Sequence, residues 1–94
     1  MDSNYSIFQQ KLVKLLQCPL SLEIFEDPVM LLPTGQIYDR KFIQMWLNDK
    51  STCPNTNIKL SFYHLIPVYI LKDVIQVIAN TFSEFNNIKN VKND

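Results

Sequence analysis

Between Ser6 and Leu16 the apolar residues Phe8, Leu12, Leu15 and Leu16 recur at helical spacing, with Gln9, Gln10, Lys11 and Lys14 between them. The spacing predicts a short amphipathic helix that closes near Gln17, because Pro19 disfavours helical dihedrals at Cys18. From Cys18 to Asp27 apolar and polar residues alternate as Leu20, Ser21, Leu22, Glu23 and Ile24, but the stretch runs into Glu26-Asp27-Pro28 and reads as an ordered loop. Val29 to Leu32 and Gln36 to Tyr38, joined by Pro33-Thr34-Gly35, predict a β-hairpin in which Gly35, the sole glycine, is free to take positive φ. Phe42, Ile43, Trp46 and Leu47 then mark a central helix over about Arg40 to Asn48, with Asp39 as its N-cap. Lys50 to Asn57 is a loop of short polar side chains around Cys53-Pro54, able to bond back to its own backbone. After Leu65-Ile66-Pro67, the residues Ile70, Leu71, Val74, Ile75, Ile78 and Phe82 predict a long amphipathic helix, and Asn86 to Asp94 a polar, frayed end. The periodicity shows no internal repeat.

Composition limits what such elements can do. A chain of 94 residues has room for one domain, and 47% hydrophobic against 19% charged residues is the balance of a folded globular unit. Nine Lys and Arg offset nine Asp and Glu, and the bases are scattered, so nucleic acid is not an expected partner. No apolar run approaches the roughly 20 residues that span a bilayer, and Met1-Asp2-Ser3-Asn4-Tyr5 does not resemble a signal peptide. The expectation is a protein without membrane association, cytoplasmic or otherwise intracellular. Two cysteines, Cys18 and Cys53, make no disulfide framework and fit a reducing compartment.

The chemistry-bearing residues are few. Structural zinc asks for four ligands in closely spaced pairs, whereas Cys18, Cys53 and His64 are unpaired in sequence. No metal or other cofactor is therefore expected. A nucleophilic Cys53 would need a base within reach, and the sole histidine lies eleven residues on; both cysteines read better as small buried apolar side chains. Glu23, Glu26, Asp27 and Asp39 sit near turns and a helix start, where capping and solvation account for carboxylates. A single glycine makes no phosphate-binding loop. What remains is binding, with no bond-making set in the chain itself.

The order of the parts carries more. Cys18-Pro19-Leu20-Ser21-Leu22-Glu23 is followed by Asp27-Pro28-Val29, the Thr34-Gly35 turn, Ile37-Tyr38-Asp39-Arg40, Trp46-Leu47, Thr52-Cys53-Pro54, and Leu65-Ile66-Pro67 before a helix. From about Leu15 to Phe82 this order resembles the U-box family. The resemblance implies a small α+β, RING-like but metal-free fold: a β-hairpin, a central helix, two ordered loops, and flanking N- and C-terminal helices. Residues 1–16 would form a helical extension, 17–83 the U-box domain and 84–94 a polar tail.

The resemblance also implies a function. A U-box docks a ubiquitin-conjugating enzyme and promotes transfer of the ubiquitin it carries to a lysine of a substrate protein, without a covalent intermediate on itself. Carried over by position, Leu20 and Leu22 are the first-loop contacts with the conjugating enzyme, Trp46 the central-helix contact and Pro54 the second-loop proline. Leu20 and Leu22 share a face if their loop is extended, while Trp46 has core and contact readings that both stand. Where many such ligases carry a basic residue that holds the charged conjugate closed, this chain has Asn57, which implies weaker activation. Asp39 and Arg40 are expected to serve the scaffold, as a cap and as part of a polar network replacing zinc. The alternative function is an inactive scaffold or dimerisation module that only binds partners. The N-terminal helix, with Phe8, Leu12 and Leu15 on one face, would pack on the domain or pair two copies as a homodimer.

Overall fold

The structure, a computed structural model, describes residues 3–81, with side chains from Ile7 onward. Its elements are helix α1 (Ser3–Leu15), strands β1 (Pro28–Leu32) and β2 (Gln36–Asp39), helix α2 (Arg40–Asp49), strand β3 (His64–Pro67) and helix α3 (Tyr69–Thr81). Loop 1, residues 16–27, joins α1 to β1, and loop 2, residues 50–60, follows α2. The predicted polar end at Asn86 to Asp94 lies outside the described residues.

β1 and β2 form the predicted hairpin, pairing Met30 with Ile37 and Leu31 with Gln36. Gly35 closes it at φ 81, its N–H donating to the Leu31 carbonyl at 2.7 Å. The third strand is one that periodicity did not reveal. β3 runs antiparallel to β1 on the side away from β2, giving the order β2-β1-β3. Four residues ending in proline make a weak strand signal, and Pro67 is tolerated because β3 is an edge that need not donate outward. Just beyond it, the Val68 N–H donates to the Pro28 carbonyl at 3.0 Å.

Val29 and Leu31, on one face of the central strand, have no exposed surface. Tyr38, Ile43, Cys18 and Cys53 are equally buried, and Ile75 and Ala79 of α3 and Leu16 complete the same core. Each large aliphatic side chain so buried is worth about 1.5–3 kcal/mol. The N-terminal helix lies on the domain through Leu12 and Val13, with Leu16 buried just past its end. Its predicted face is split, because Phe8 and Leu15 stay exposed.

Asp39 corrects another expectation. It occupies the N-cap position of α2 in extended conformation, but its side chain makes no cap hydrogen bond. The Asp27 carbonyl accepts the Arg40 N–H at 3.0 Å instead, and the Asp39 carboxylate turns to loop 1.

Candidate protein-docking site

Both loops are built on the dipeptide Cys-Pro, and they repeat each other bond for bond at a constant offset along the chain. In loop 1 the Cys18 N–H donates to the Glu23 carbonyl at 2.8 Å and the Leu22 N–H to the Cys18 carbonyl at 2.8 Å. In loop 2 the Cys53 N–H donates to the Ile58 carbonyl at 2.9 Å and the Asn57 N–H to the Cys53 carbonyl at 2.7 Å. The Ser21 hydroxyl accepts the Glu23 N–H at 3.2 Å, and the Thr56 hydroxyl accepts the Ile58 N–H at 3.4 Å. Phe25 to Leu16 and Leu60 to Ser51 close the bases, beside matching antiparallel bridges at Gln17–Ile24 and Thr52–Lys59. An internal repeat therefore exists where the periodicity showed none. Its trace is the recurrence of Cys-Pro-x-Ser as Cys-Pro-x-Thr.

Each loop is tied to the end of β2 by its cysteine. The Asp39 N–H donates to Cys18 Sγ at 3.3 Å, and Asp39 Oδ1 accepts the N–H groups of Glu26 at 2.9 Å and Asp27 at 2.8 Å. Arg40 Nε reaches Asp27 Oδ2 at 2.8 Å; with both side chains a third or more exposed, that pair is screened and contributes little beyond geometry. On the other side, the Asn55 N–H donates to the Tyr38 hydroxyl at 3.2 Å, leaving the tyrosine proton for Cys53 Sγ at 3.4 Å. Cys53 Sγ lies 3.5 Å from the Thr34 hydroxyl, which donates to the Leu31 carbonyl at 3.3 Å. Burial pushes the Cys53 thiol up, but its hydrogen bonds with the side chains of Thr56, Tyr38 and Thr34 and with the Thr56 backbone outweigh it and bring it to about 6. Burial, then the Cys53 hydrogen bond, pushes the Tyr38 hydroxyl well above its ordinary value.

Both cysteines are free and buried, and among the described residues no group of three His, Cys, Asp or Glu side chains is placed to hold a metal ion. The loops are held by hydrogen bonds through four hydroxyls, a carboxylate and two sulfurs.

A family model described as the U-box domain matches residues 14–82. The chain belongs to the U-box family. It is 41% identical over 78 residues to U-box domain-containing protein 12 of Oryza sativa subsp. japonica, a match over 82% of this chain and 12% of the relative. It is 46% identical over 59 residues to U-box domain-containing protein 11 of Arabidopsis thaliana, covering 62% of this chain and 10% of that protein. Against E3 ubiquitin-protein ligase SPL11 of Oryza sativa subsp. japonica it is 43% identical over 60 residues, 63% of this chain and 8% of the relative. The chain thus spans about a tenth of the length of these relatives.

On this U-box the predicted contact residues take different positions. Leu22 is 70% exposed and sits at φ 61, a left-handed conformation that a leucine adopts at a cost of about 1–2 kcal/mol. Leu20 is half-buried and packs on the core, so the two leucines do not share a face: the stretch between Cys18 and Leu22 is a tight turn and not extended. Trp46 is half-buried. It packs on the core, while its Nε1 donates to the Thr52 carbonyl at 2.8 Å and fixes loop 2 to α2 two residues before Pro54, itself half-buried. Asn57 is exposed at φ 60, where asparagine is one of the few residues that settle readily.

Helix α2 lies between the loops. Trp46 ties it to loop 2, and on the loop 1 side a groove of about 580 Å³ is lined by Glu23, Glu26 and Asp27 together with Asp39, Arg40, Phe42 and Met45. Two residues, one in α2 and one at its C-cap, carry no mark in the apolar periodicity. Met45 is 62% exposed, off the apolar stripe of α2. Lys50 Nζ stands 4.4 Å above the Trp46 ring, and its trace is the four-residue spacing between them.

Proposed function

We propose that this U-box is a ubiquitin ligase module that binds a ubiquitin-conjugating enzyme through loop 1, α2 and loop 2 and promotes transfer of the carried ubiquitin to a substrate lysine. The chain's part is positioning, since a partner that brings both reacting groups needs only orientation to lower the barrier. Family membership carries the reading, and the exposed, strained Leu22 supports it locally: an apolar side chain held out of the core against its backbone preference is a docking anchor. Burying it under a partner is worth about 1.5–3 kcal/mol, which suits a small and transient interface.

The test mixes the domain with activating enzyme, ubiquitin and a panel of conjugating enzymes and follows discharge of the loaded conjugate. Wild type accelerates discharge with at least one of them; no acceleration with any overturns the reading. Leu22→Arg is the clean probe, because Leu22 touches little of the core, and it abolishes acceleration while leaving the unfolding midpoint in place. Leu20→Ala lowers both, since Leu20 also packs inward.

A binding-only scaffold is the second reading, and Asn57 favours it. The residue lacks the charge that would clamp a conjugate and already satisfies its backbone geometry. Asn57→Arg speeds discharge with docking nearly unchanged if the position acts on the conjugate; it also costs about 1 kcal/mol of stability, because arginine sits poorly at φ 60. Unaltered or slower discharge favours the scaffold.

A further inference from the structure

Lys50 closes α2. As its C-cap it takes an extended conformation, and its N–H donates to the Trp46 carbonyl at 2.8 Å. Three attractions then act on the same ammonium: the indole face at 4.4 Å, the Asp49 carboxylate at 3.7 Å, and the negative end of the helix dipole. Asp49 is 80% exposed, so water screens it and it neutralises little of the charge. The result is an ammonium held over the indole of Trp46, on a side chain still 52% exposed to solvent and so open to a partner.

We infer that Lys50 is a specificity-determining residue of this face, an ammonium fixed over Trp46 that selects conjugating enzymes carrying a carboxylate opposite the indole. The inference rests on the docking reading above. A charge on the rim of an apolar contact acts on partner choice and association rate more than on the lifetime of the complex. Leu22 and Pro54 supply surface that many partners would match, whereas a placed charge discriminates, because a partner with a base at the same point meets repulsion.

The test uses the whole chain, wild type, Lys50→Met and Lys50→Glu, titrated with the panel of conjugating enzymes at several salt concentrations. Trp46 is the sole tryptophan, so 5-fluorotryptophan labelling gives one fluorine signal that reports both its contact with Lys50 and docking. Its shift moves in Lys50→Met before any partner is added. Wild-type affinity falls with salt; Lys50→Met weakens binding about two- to fivefold and flattens that dependence, and Lys50→Glu weakens it further. Changing the facing carboxylate of the bound conjugating enzyme to lysine restores binding to Lys50→Glu alone. Equal affinity and equal salt dependence in the three proteins overturn the inference while the docking reading stands. Failure of wild type to bind any conjugating enzyme overturns both.

Discussion

Loops 1 and 2 follow the same backbone path and are filled with opposite chemistry. Loop 1 sends Ile24 and Phe25 into the core, takes its brace from a buried carboxylate, and places a leucine at its left-handed position. Loop 2 holds Asn55, Thr56 and Asn57 at its exposed turn, takes its brace from hydroxyls and a thiol, and places an asparagine at the equivalent position. The same left-handed dihedral is thus met by a residue that suits it in one loop and by one that resists it in the other. Where the residue suits the backbone, it serves the loop. Where it resists, as Leu22 does, the side chain stands exposed and is the one the proposed docking would use.

The largest expected difference lies in the braces. Asp39→Ala strips the acceptor from the part-buried N–H groups of Glu26 and Asp27 and costs about 2 kcal/mol. Urea unfolding measures the loss, and amide exchange places it: Glu26 and Asp27 lose protection while Cys53 and Asn57 keep theirs. Equal loss in both loops would mean that the braces are not separate. Tyr38→Phe works on the other loop, removing the acceptor of Asn55 and the donor to Cys53 for about 1–2 kcal/mol, with Asn55 and Asn57 exchanging faster.

The pH dependence belongs to loop 2. A thiol held at about 6 in the fold against an ordinary 9.0 adds stability in full above 9.0, and that contribution drains away as pH falls to about 6. Tyr38 acts in the opposite sense: with its hydroxyl raised, stability is whole below its ordinary 10.0 and is lost above it as the unfolded chain ionises. Urea midpoints therefore rise from pH 6 to 9 and fall beyond 10, and Cys53→Ser flattens the rise.

The smallest effects fall on the two left-handed residues. Leu22→Gly relieves the backbone and stabilises the domain by about 0.5–1 kcal/mol while it removes the anchor, so thermal midpoint and discharge rate move in opposite directions. Asn57→Gly changes stability by no more than a few tenths of a kcal/mol. If both glycine variants shift the midpoint alike, Leu22 is no more strained than Asn57.

Local pattern foretold much of this molecule and long-range bonding almost none. The hairpin, the central helix from Arg40 and the C-terminal helix follow from side-chain period and turn chemistry, which act over a few residues. β3 was hidden because its partner lies more than thirty residues earlier and its own alternation spans only four. The work of Asp39 was hidden for a similar reason: a carboxylate before a helix looks like a cap, and only the folded chain brings the amides of Glu26 and Asp27 to it. Leu20 and Leu22 share a face only where their loop is extended, and the hydrogen bond from the Leu22 N–H to the Cys18 carbonyl turns them apart. Asn57 was read for the charge it lacks; its dihedral shows that the loop uses it as well.

Strand β2 ends in Tyr38 and Asp39, consecutive residues whose side chains leave in opposite directions, one to each loop. Both loops therefore take their anchorage from one peptide unit, and a substitution that displaces it reaches both at once.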